Sequence, residues 1–322
     1  MGTTFVLVAG VLAAAIGGEL FVRGAVGLAA WARVPASIIA VTVAAFATSS
    51  PELFVTVNAA TDGAPEIGFG DALGSNVVNI ALVLGLALLV RPARVERDAV
   101  RRDLPVALAV PALTVVLALD GSMSRLDGGL LLATFFTWLG VTARSAHRAR
   151  RDSLDETDDA LDETVDAVLG ERNRHRILAE MLGGLVLLVV AGRLIVIAAE
   201  TIGEALGLDA FVVGATFVAI GTSMPELATT IAAGLRGHQE IGIGAILGSN
   251  IFNGLWIVSV AALLSPFDVA LDEVLLSLVV GALALVMLIP GRRLFLARWR
   301  GAALLAVYAG YLVVLLAVRP GT

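Results

Sequence analysis

Apolar residues run along this chain in long continuous blocks, with the polar residues gathered between them. Ten blocks, at 4–21, 35–60, 67–90, 104–120, 127–143, 177–200, 210–233, 241–264, 271–290 and 301–318, have roughly the 17–25 residues that cross about 30 Å of hydrocarbon as a helix. They are rich in Leu, Ala and Gly and do not alternate over short strands, which excludes a transmembrane barrel. The pattern predicts an all-α integral membrane protein with ten transmembrane helices. The first block lacks a basic leader and a cleavage site, so it reads as a retained helix.

Two of the blocks are interrupted in the same way. Thr48-Ser49-Ser50-Pro51-Glu52-Leu53 lies in one, and Thr222-Ser223-Met224-Pro225-Glu226-Leu227 in another. A shift of 174 residues superposes these stretches and carries the match further: Thr42 falls on Thr216, Ala45 on Ala219, Glu66-Ile67-Gly68 on Glu240-Ile241-Gly242, Leu73-Gly74-Ser75-Asn76 on Leu247-Gly248-Ser249-Asn250, and Asn79 on Asn253. Apolar packing alone would not repeat rare intramembrane polar residues. The halves, 1–143 and 177–322, are joined by a charged stretch at 144–176 and hold five blocks each. An odd number of spans makes the second half enter the bilayer with opposite polarity, giving two inverted five-helix repeats. A pseudo-two-fold axis in the membrane plane would bring Glu52 and Glu226 together near its midplane.

The residue types at that centre suit a hard cation. An unpaired charge at the bilayer centre costs roughly 2.5–3.5 kcal/mol on insertion scales, so buried carboxylates usually face a polar interior and carry function. Pro51 and Pro225 lack an amide proton and clash with the preceding turn, which predicts a broken helix and freed carbonyls near Ala45, Ala47, Ala219 and Gly221. Those carbonyls, with the hydroxyls of Thr48, Ser49, Thr222 and Ser223, offer the all-oxygen surroundings that sodium and calcium favour. On the following helices, Ser75 and Asn79 lie four apart, as do Ser249 and Asn253, so each pair shares a helix face. Gly68, Gly70 and Gly74, with Gly242, Gly244 and Gly248, read as close-packing positions.

Other polar residues read as structural. Glu66 and Glu240 open helices, where a carboxylate favours the positive end; the competing reading is guarding an entrance. Glu19 and Arg193 occupy equivalent repeat positions but, by inversion, lie towards opposite faces, so Arg193 is expected to reach outward or to meet Glu200 or Glu204. His147, His175 and His238 all fall in loops and support neither a metal site nor a proton relay.

Composition agrees with the membrane assignment. Of 322 residues, 58% are hydrophobic and 16% charged, too few polar groups to solvate a globular surface. There is no cysteine, hence no disulfide or thiolate metal site. All 22 basic residues are Arg, and 19 of them fall in one alternate set of loops: two at Arg23 and Arg33, five in 91–103, seven in 144–176, Arg236, and four in 291–300. The positive-inside rule then puts both termini outside and the central loop in the cytoplasm. Residues 152–171 carry nine acidic residues and no basic one, and read as a solvated linker, since the residue order of a calcium loop is missing.

The duplicated motifs, ATSSPEL with GDALGSNVVN and GTSMPEL with GAILGSNIFN, resemble the two alpha repeats of the sodium/calcium exchangers, within the cation/calcium exchanger superfamily. The resemblance covers nearly the whole chain. It implies an antiporter that moves calcium against a sodium gradient by alternating access, with the first and sixth helices sliding across the rest. Position by position, it implies that Glu52 and Glu226 bind calcium and also sodium. Thr48, Ser49, Thr222 and Ser223 with the carbonyls of Ala45 and Ala219 match the flanking ligands, and Ser75, Asn79, Ser249 and Asn253 match the ligands on the third and eighth helices. Two departures stand out: Ala47 replaces the usual Gly, and Asn253 stands where the family often has Asp. The site is therefore expected to hold two formal negative charges, those of Glu52 and Glu226.

Calcium and sodium are expected as transported ligands, with no cofactor, no nucleic acid and no obligatory protein partner. Two carboxylates can be neutralised by one divalent ion, by monovalent ions or by protons, so the same site admits a proton- or potassium-coupled calcium antiporter. A passive channel is disfavoured by a deep site built from broken helices in an inverted repeat. An intramembrane hydrolase is disfavoured because no nucleophile, His or metal cluster accompanies the Glu pair.

Overall fold

A computed structural model describes residues 2–31, 49–95, 97, 99–152, 174–236, 239–291 and 294–318. Among the described residues the elements are helices apart from four two-residue strands. In the first half α1 is Gly2–Trp31, α2 Ser50–Asp62, α3 runs over Pro65–Val90, α4 over Ala99–Asp120, and α5 is Arg125–Asp152. In the second, α6 is Arg174–Leu206, α7 runs over Ala210–Thr222, α8 is Met224–Arg236, α9 begins at Gln239 and ends at Leu264, α10 is Leu271–Val286 and α11 is Arg298–Val318.

Among the described residues, seven helices are long and apolar enough to cross a membrane, and Ala210–Thr222 and Val274–Val286 are shorter apolar helices. Of the expected block 35–60, residues 35–48 lie outside the described residues. The expected block 210–233 is two helices, α7 and α8, divided at Ser223. Helices suit this environment because every backbone group in lipid must be satisfied within its own segment. Phe5, Val8, Leu12 and Ile16 on α1 and Leu126, Leu130 and Phe136 on α5 are exposed, as lipid-facing residues should be. The most enclosed spans are α3 and α9.

These two central helices share a further trait. Each passes through a wide π turn, over Val78–Leu84 in α3 and Phe252–Ile257 in α9. At their crossing, Asn76 Nδ2 donates to the Asn250 carbonyl at 3.2 Å, and Asn250 Nδ2 donates to the Asn76 carbonyl at 3.0 Å. The strands repeat this exchange. β1 (Ala93–Arg94) pairs antiparallel with β4 (Phe295–Leu296), and β2 (Ser122–Met123) with β3 (Phe267–Asp268). β1 and β3 start 267 − 93 = 174 residues apart, and β2 and β4 295 − 122 = 173, so exchanging the halves turns one pair into the other.

The reciprocal Asn bonds fix the two halves against each other in a buried place. Asn76→Ala and Asn250→Ala each remove a donor and leave a carbonyl without it, and each is expected to cost about 1 kcal/mol. Thermal unfolding in detergent checks this: both variants should melt below the wild type, by similar amounts.

Glycines set how closely the helices approach. A Cβ on Gly74 of α3 would lie 2.5 Å from the Cα and carbonyl oxygen of Ala215 in α7, and one on Gly68 would lie 2.8 Å from Thr56 Cα in α2. The counterpart of that second contact is present, with a Cβ on Gly242 lying 3.0 Å from Thr230 Cγ2. The expected close packing thus holds at Gly68, Gly70, Gly74 and Gly242; for Gly244 and Gly248 the equivalent neighbour, at 32–48, lies outside the described residues. Helices α1 and α6 also meet backbone to backbone, Gly24 against Met181 and Gly184 against Phe21.

Arg193 does not meet Glu200 or Glu204 as expected. It pairs with Asp62, because α6 packs along α2 and brings the Arg to that helix's C-terminal end. Glu19 pairs one turn along its own helix with Arg23.

Candidate functional site

The two Glu residues lie in the first turns of α2 and α8, which pack on α3 and α9. Ser223 separates α7 from α8 with φ −79° and ψ 5°, and its repeat mate Ser49 precedes α2 with φ −92° and ψ 10°. In each case Pro sits in the first turn of the next helix, where its missing amide is harmless, and Glu follows immediately. The break is tight. A ψ near zero keeps the chain almost helical, so Ser223 N still donates to the Ala219 carbonyl at 3.1 Å. The sequence expectation that Ala219 would be freed is corrected on this point, although a carbonyl keeps a second lone pair.

Glu52 is completely buried and Glu226 nearly so. Glu52 interacts electrostatically with Glu226, with Asp71 and with Thr222. Neither Glu52 oxygen has a hydrogen bond of ordinary geometry, and Ser49 Oγ, Ser223 Oγ and the side-chain amides of Asn79 and Asn253 are likewise buried and unpartnered. Ser75 and Ser249 are buried as well. Ser75 Oγ lies 3.3 Å from Thr222 Oγ1, which joins the third helix of one half to the motif of the other. Thr222 Oγ1 also reaches the Val218 carbonyl at 3.2 Å and that of Ala219 at 3.4 Å. The structure thus places Ser49, Glu52, Ser75, Asn79, Thr222, Ser223, Glu226, Ser249 and Asn253 in its polar interior. Ala45 and Thr48 lie outside the described residues.

One residue at this place was missed. Asp71, on α3, is fully buried and accepts hydrogen bonds on Oδ1 from Thr222 Oγ1 at 2.9 Å and Ser75 Oγ at 3.2 Å. A third buried carboxylate therefore stands beside the two that were expected. Asp71 falls on Ala245 under the 174-residue shift, so selecting residues matched in both halves passes over it. Its position four before Ser75 and eight before Asn79, on the same helix face, was the available signal. Among the described residues no three His, Asp or Glu side chains close together at metal-ligand distance. A cation's shell would need hydroxyl and carbonyl oxygens besides the carboxylates.

Two cavities lie at opposite ends of α3. At the Pro65 end of α3 a cavity of about 400 Å³ is lined by Glu66, Ser122, Ser124, Ser265 and Asp268. Glu66 is in the first turn of its helix, as the capping reading expected, and it also faces this opening. At the Val90 end the corresponding cavity, lined by Arg91, Ala93, Thr230, Gln239 and Ile243, is about 20 Å³.

A bundle of apolar helices enclosing buried carboxylates, hydroxyls and amides at its centre is a membrane protein built to handle cations. The chain belongs to the sodium/calcium exchanger protein family, whose model matches residues 2–143 and 177–317. It is a transporter and not an enzyme, and its class of activity is cation/calcium exchange. It is 32% identical over 316 residues to the putative antiporter CaxA of Alkalimonas amylolytica, covering 97% of each chain. It is 29% identical over 342 residues to the sodium/calcium exchanger MaX1 of Methanosarcina acetivorans, covering 96% of this chain and 97% of that one. A solved structure of the sodium-calcium exchanger NCX_Mj matches with a TM-score of 0.66 and 28% identity, over 98% of this chain and 99% of that one.

Proposed function

We propose that this protein is an antiporter that exchanges calcium for sodium by alternating access, with both ions competing for one site around Glu52 and Glu226. The observation that carries the reading is the buried polar shell: two Glu52 oxygens, two Ser hydroxyls and the Asn79 and Asn253 amides, all without hydrogen-bond partners among the described residues. Leaving so many buried polar groups unpaired is costly, and a desolvated cation is the partner that would satisfy them together. Ser49, Glu52, Ser75, Asn79, Thr222, Ser223, Glu226, Ser249 and Asn253 are the proposed ligands, with Thr48 and the carbonyls of Ala45 and Ala219. One divalent and several monovalent ions cannot occupy the same carboxylates at once, and that exclusion couples the two fluxes.

The architecture proposed is ten transmembrane helices in two inverted repeats, 1–143 and 177–322, with 144–176 as a cytoplasmic linker and both termini outside. The reciprocal Asn76 and Asn250 bonds and the exchanging strand pairs support the repeat, and the distribution of Arg supports the orientation. The acidic cavity beside Glu66 and Asp268 would then face outward and the narrow one inward. Helices α1 and α6, packed mainly on each other, are the proposed moving pair.

Reconstituted vesicles test the coupling. An outward sodium gradient should drive calcium-45 uptake, and neither a potassium nor a pH gradient should replace it. Uptake driven by a pH or potassium gradient with no response to sodium would overturn the sodium reading in favour of the other coupling ion.

A further inference from the structure

Asp71 is a buried charge beside Glu52 that the duplication does not account for. Its counterpart Ala245 has no polar side-chain atom, so whatever Asp71 does, it does on one half only. Asp71 Oδ1, Ser75 Oγ and Thr222 Oγ1 form a triangle with edges of 2.9, 3.2 and 3.3 Å. The second oxygen, Oδ2, is buried without a hydrogen bond. Glu52 is near enough to interact with Asp71 electrostatically.

These are hydrogen-bond distances, and opening the shorter ones by a few tenths of an ångström gives the spacing that a hard cation asks of its ligands. An ion bound at about 2.3–2.6 Å in six-fold geometry holds neighbouring oxygens about 3.3–3.7 Å apart. A carboxylate and two hydroxyls are hard oxygen donors. A hydroxyl can ligate a cation and still place its proton, and the Thr222 proton has the Val218 carbonyl at 3.2 Å to turn to. The Asp71 charge is also hard to justify as scaffolding alone, because a neutral side chain could accept the same two hydroxyl bonds without a desolvated charge.

We propose that Asp71 is a third charged ligand of the exchange site and, with Ser75 and Thr222, holds one monovalent cation on the side of the first half. This rests on the antiport reading above. Three carboxylates, Glu52, Glu226 and Asp71, are neutralised by three monovalent ions, whereas calcium neutralises two of them and leaves Asp71 to its own ion. Removing the Asp71 charge should therefore change the monovalent requirement and leave calcium recognition largely in place.

The test uses the full chain in proteoliposomes, with calcium-45 uptake measured against internal sodium. In Asp71→Asn the Hill coefficient for sodium should fall by about one, while the KM for calcium shifts less than about threefold. Asp71→Ser should do the same, which guards against one variant failing to fold, and Asp71→Glu, which keeps the charge, should keep the wild-type coefficient. If the neutral variants retain the wild-type coefficient, Asp71 is a hydrogen-bond acceptor only, and the inference is overturned with antiport intact. If they raise the calcium KM about a hundredfold or more, Asp71 ligates calcium itself and the proposal is equally overturned. Absence of sodium-driven calcium uptake in the wild type would instead remove the antiport reading, and this inference with it.

Discussion

Glu52→Gln and Glu226→Gln are each expected to lower calcium exchange at least about a hundredfold while leaving the protein folded. A divalent ion about 2.5 Å from a carboxylate, at an effective dielectric of about 20, is attracted by on the order of 10 kcal/mol before desolvation is counted. If only a quarter of that survives, the loss is about 2.5–3 kcal/mol, which at about 1.4 kcal/mol per tenfold is the stated effect. Stability should move the other way. Neither Glu52 oxygen has a hydrogen bond of ordinary geometry to lose, and a neutral amide removes a desolvated charge, so ion-free Glu52→Gln should melt at or above the wild type. Calcium should raise the melting temperature of the wild type but not of the variants, since a ligand stabilises only the state that binds it. Exchange at the wild-type rate in either variant would sink the shared-site reading.

Much of this was legible in the sequence because membrane insertion imposes a coarse rule: long apolar blocks become helices, and polar groups inside them need a reason. The blocks at 67–90, 127–143 and 241–264 correspond to the described spans Pro65–Val90, Arg125–Ser145 and Gly242–Leu264. The 174-residue shift likewise led to Glu52, Glu226, Ser75, Asn79, Ser249 and Asn253, which are all buried. It also acted as a filter. Asp71 has an Ala as its mate, and a search for symmetric chemistry is blind to a carboxylate that breaks symmetry.

Tertiary partners were less accessible. Asp62 for Arg193 depends on how α6 lies along α2, which no local pattern states. The retained Ala219 bond depends on the backbone angle at Ser223, and a proline motif specifies only that the helix is disturbed. Asn76 and Asn250 were visible as matched residues, yet that each would serve the other's carbonyl follows from the crossing of α3 and α9.

That crossing depends on close helix contacts, which makes Gly74→Ala the second variant of large expected effect. A Cβ there would lie 2.5 Å from both the Cα and the carbonyl oxygen of Ala215, main-chain atoms that cannot turn aside as a side chain would. Helices α3 and α7 must then separate, and overpacking of this kind typically costs about 1–3 kcal/mol. The position makes the cost functional. Gly74 adjoins Ser75, whose hydroxyl is 3.3 Å from Thr222 on α7, and Asp71 one turn earlier accepts from the same Thr222. Moving the helices apart stretches both contacts at once, so calcium-45 exchange should fall about tenfold or more and the protein should melt several degrees lower. Gly129→Ala is the control. Nothing lies within 4 Å of a Cβ built at Gly129, and within a helix Ala is favoured over Gly by about 0.8–1 kcal/mol, so this variant should be slightly more stable and exchange normally. Equal behaviour of the two variants would mean that the α3–α7 contact does not hold the site.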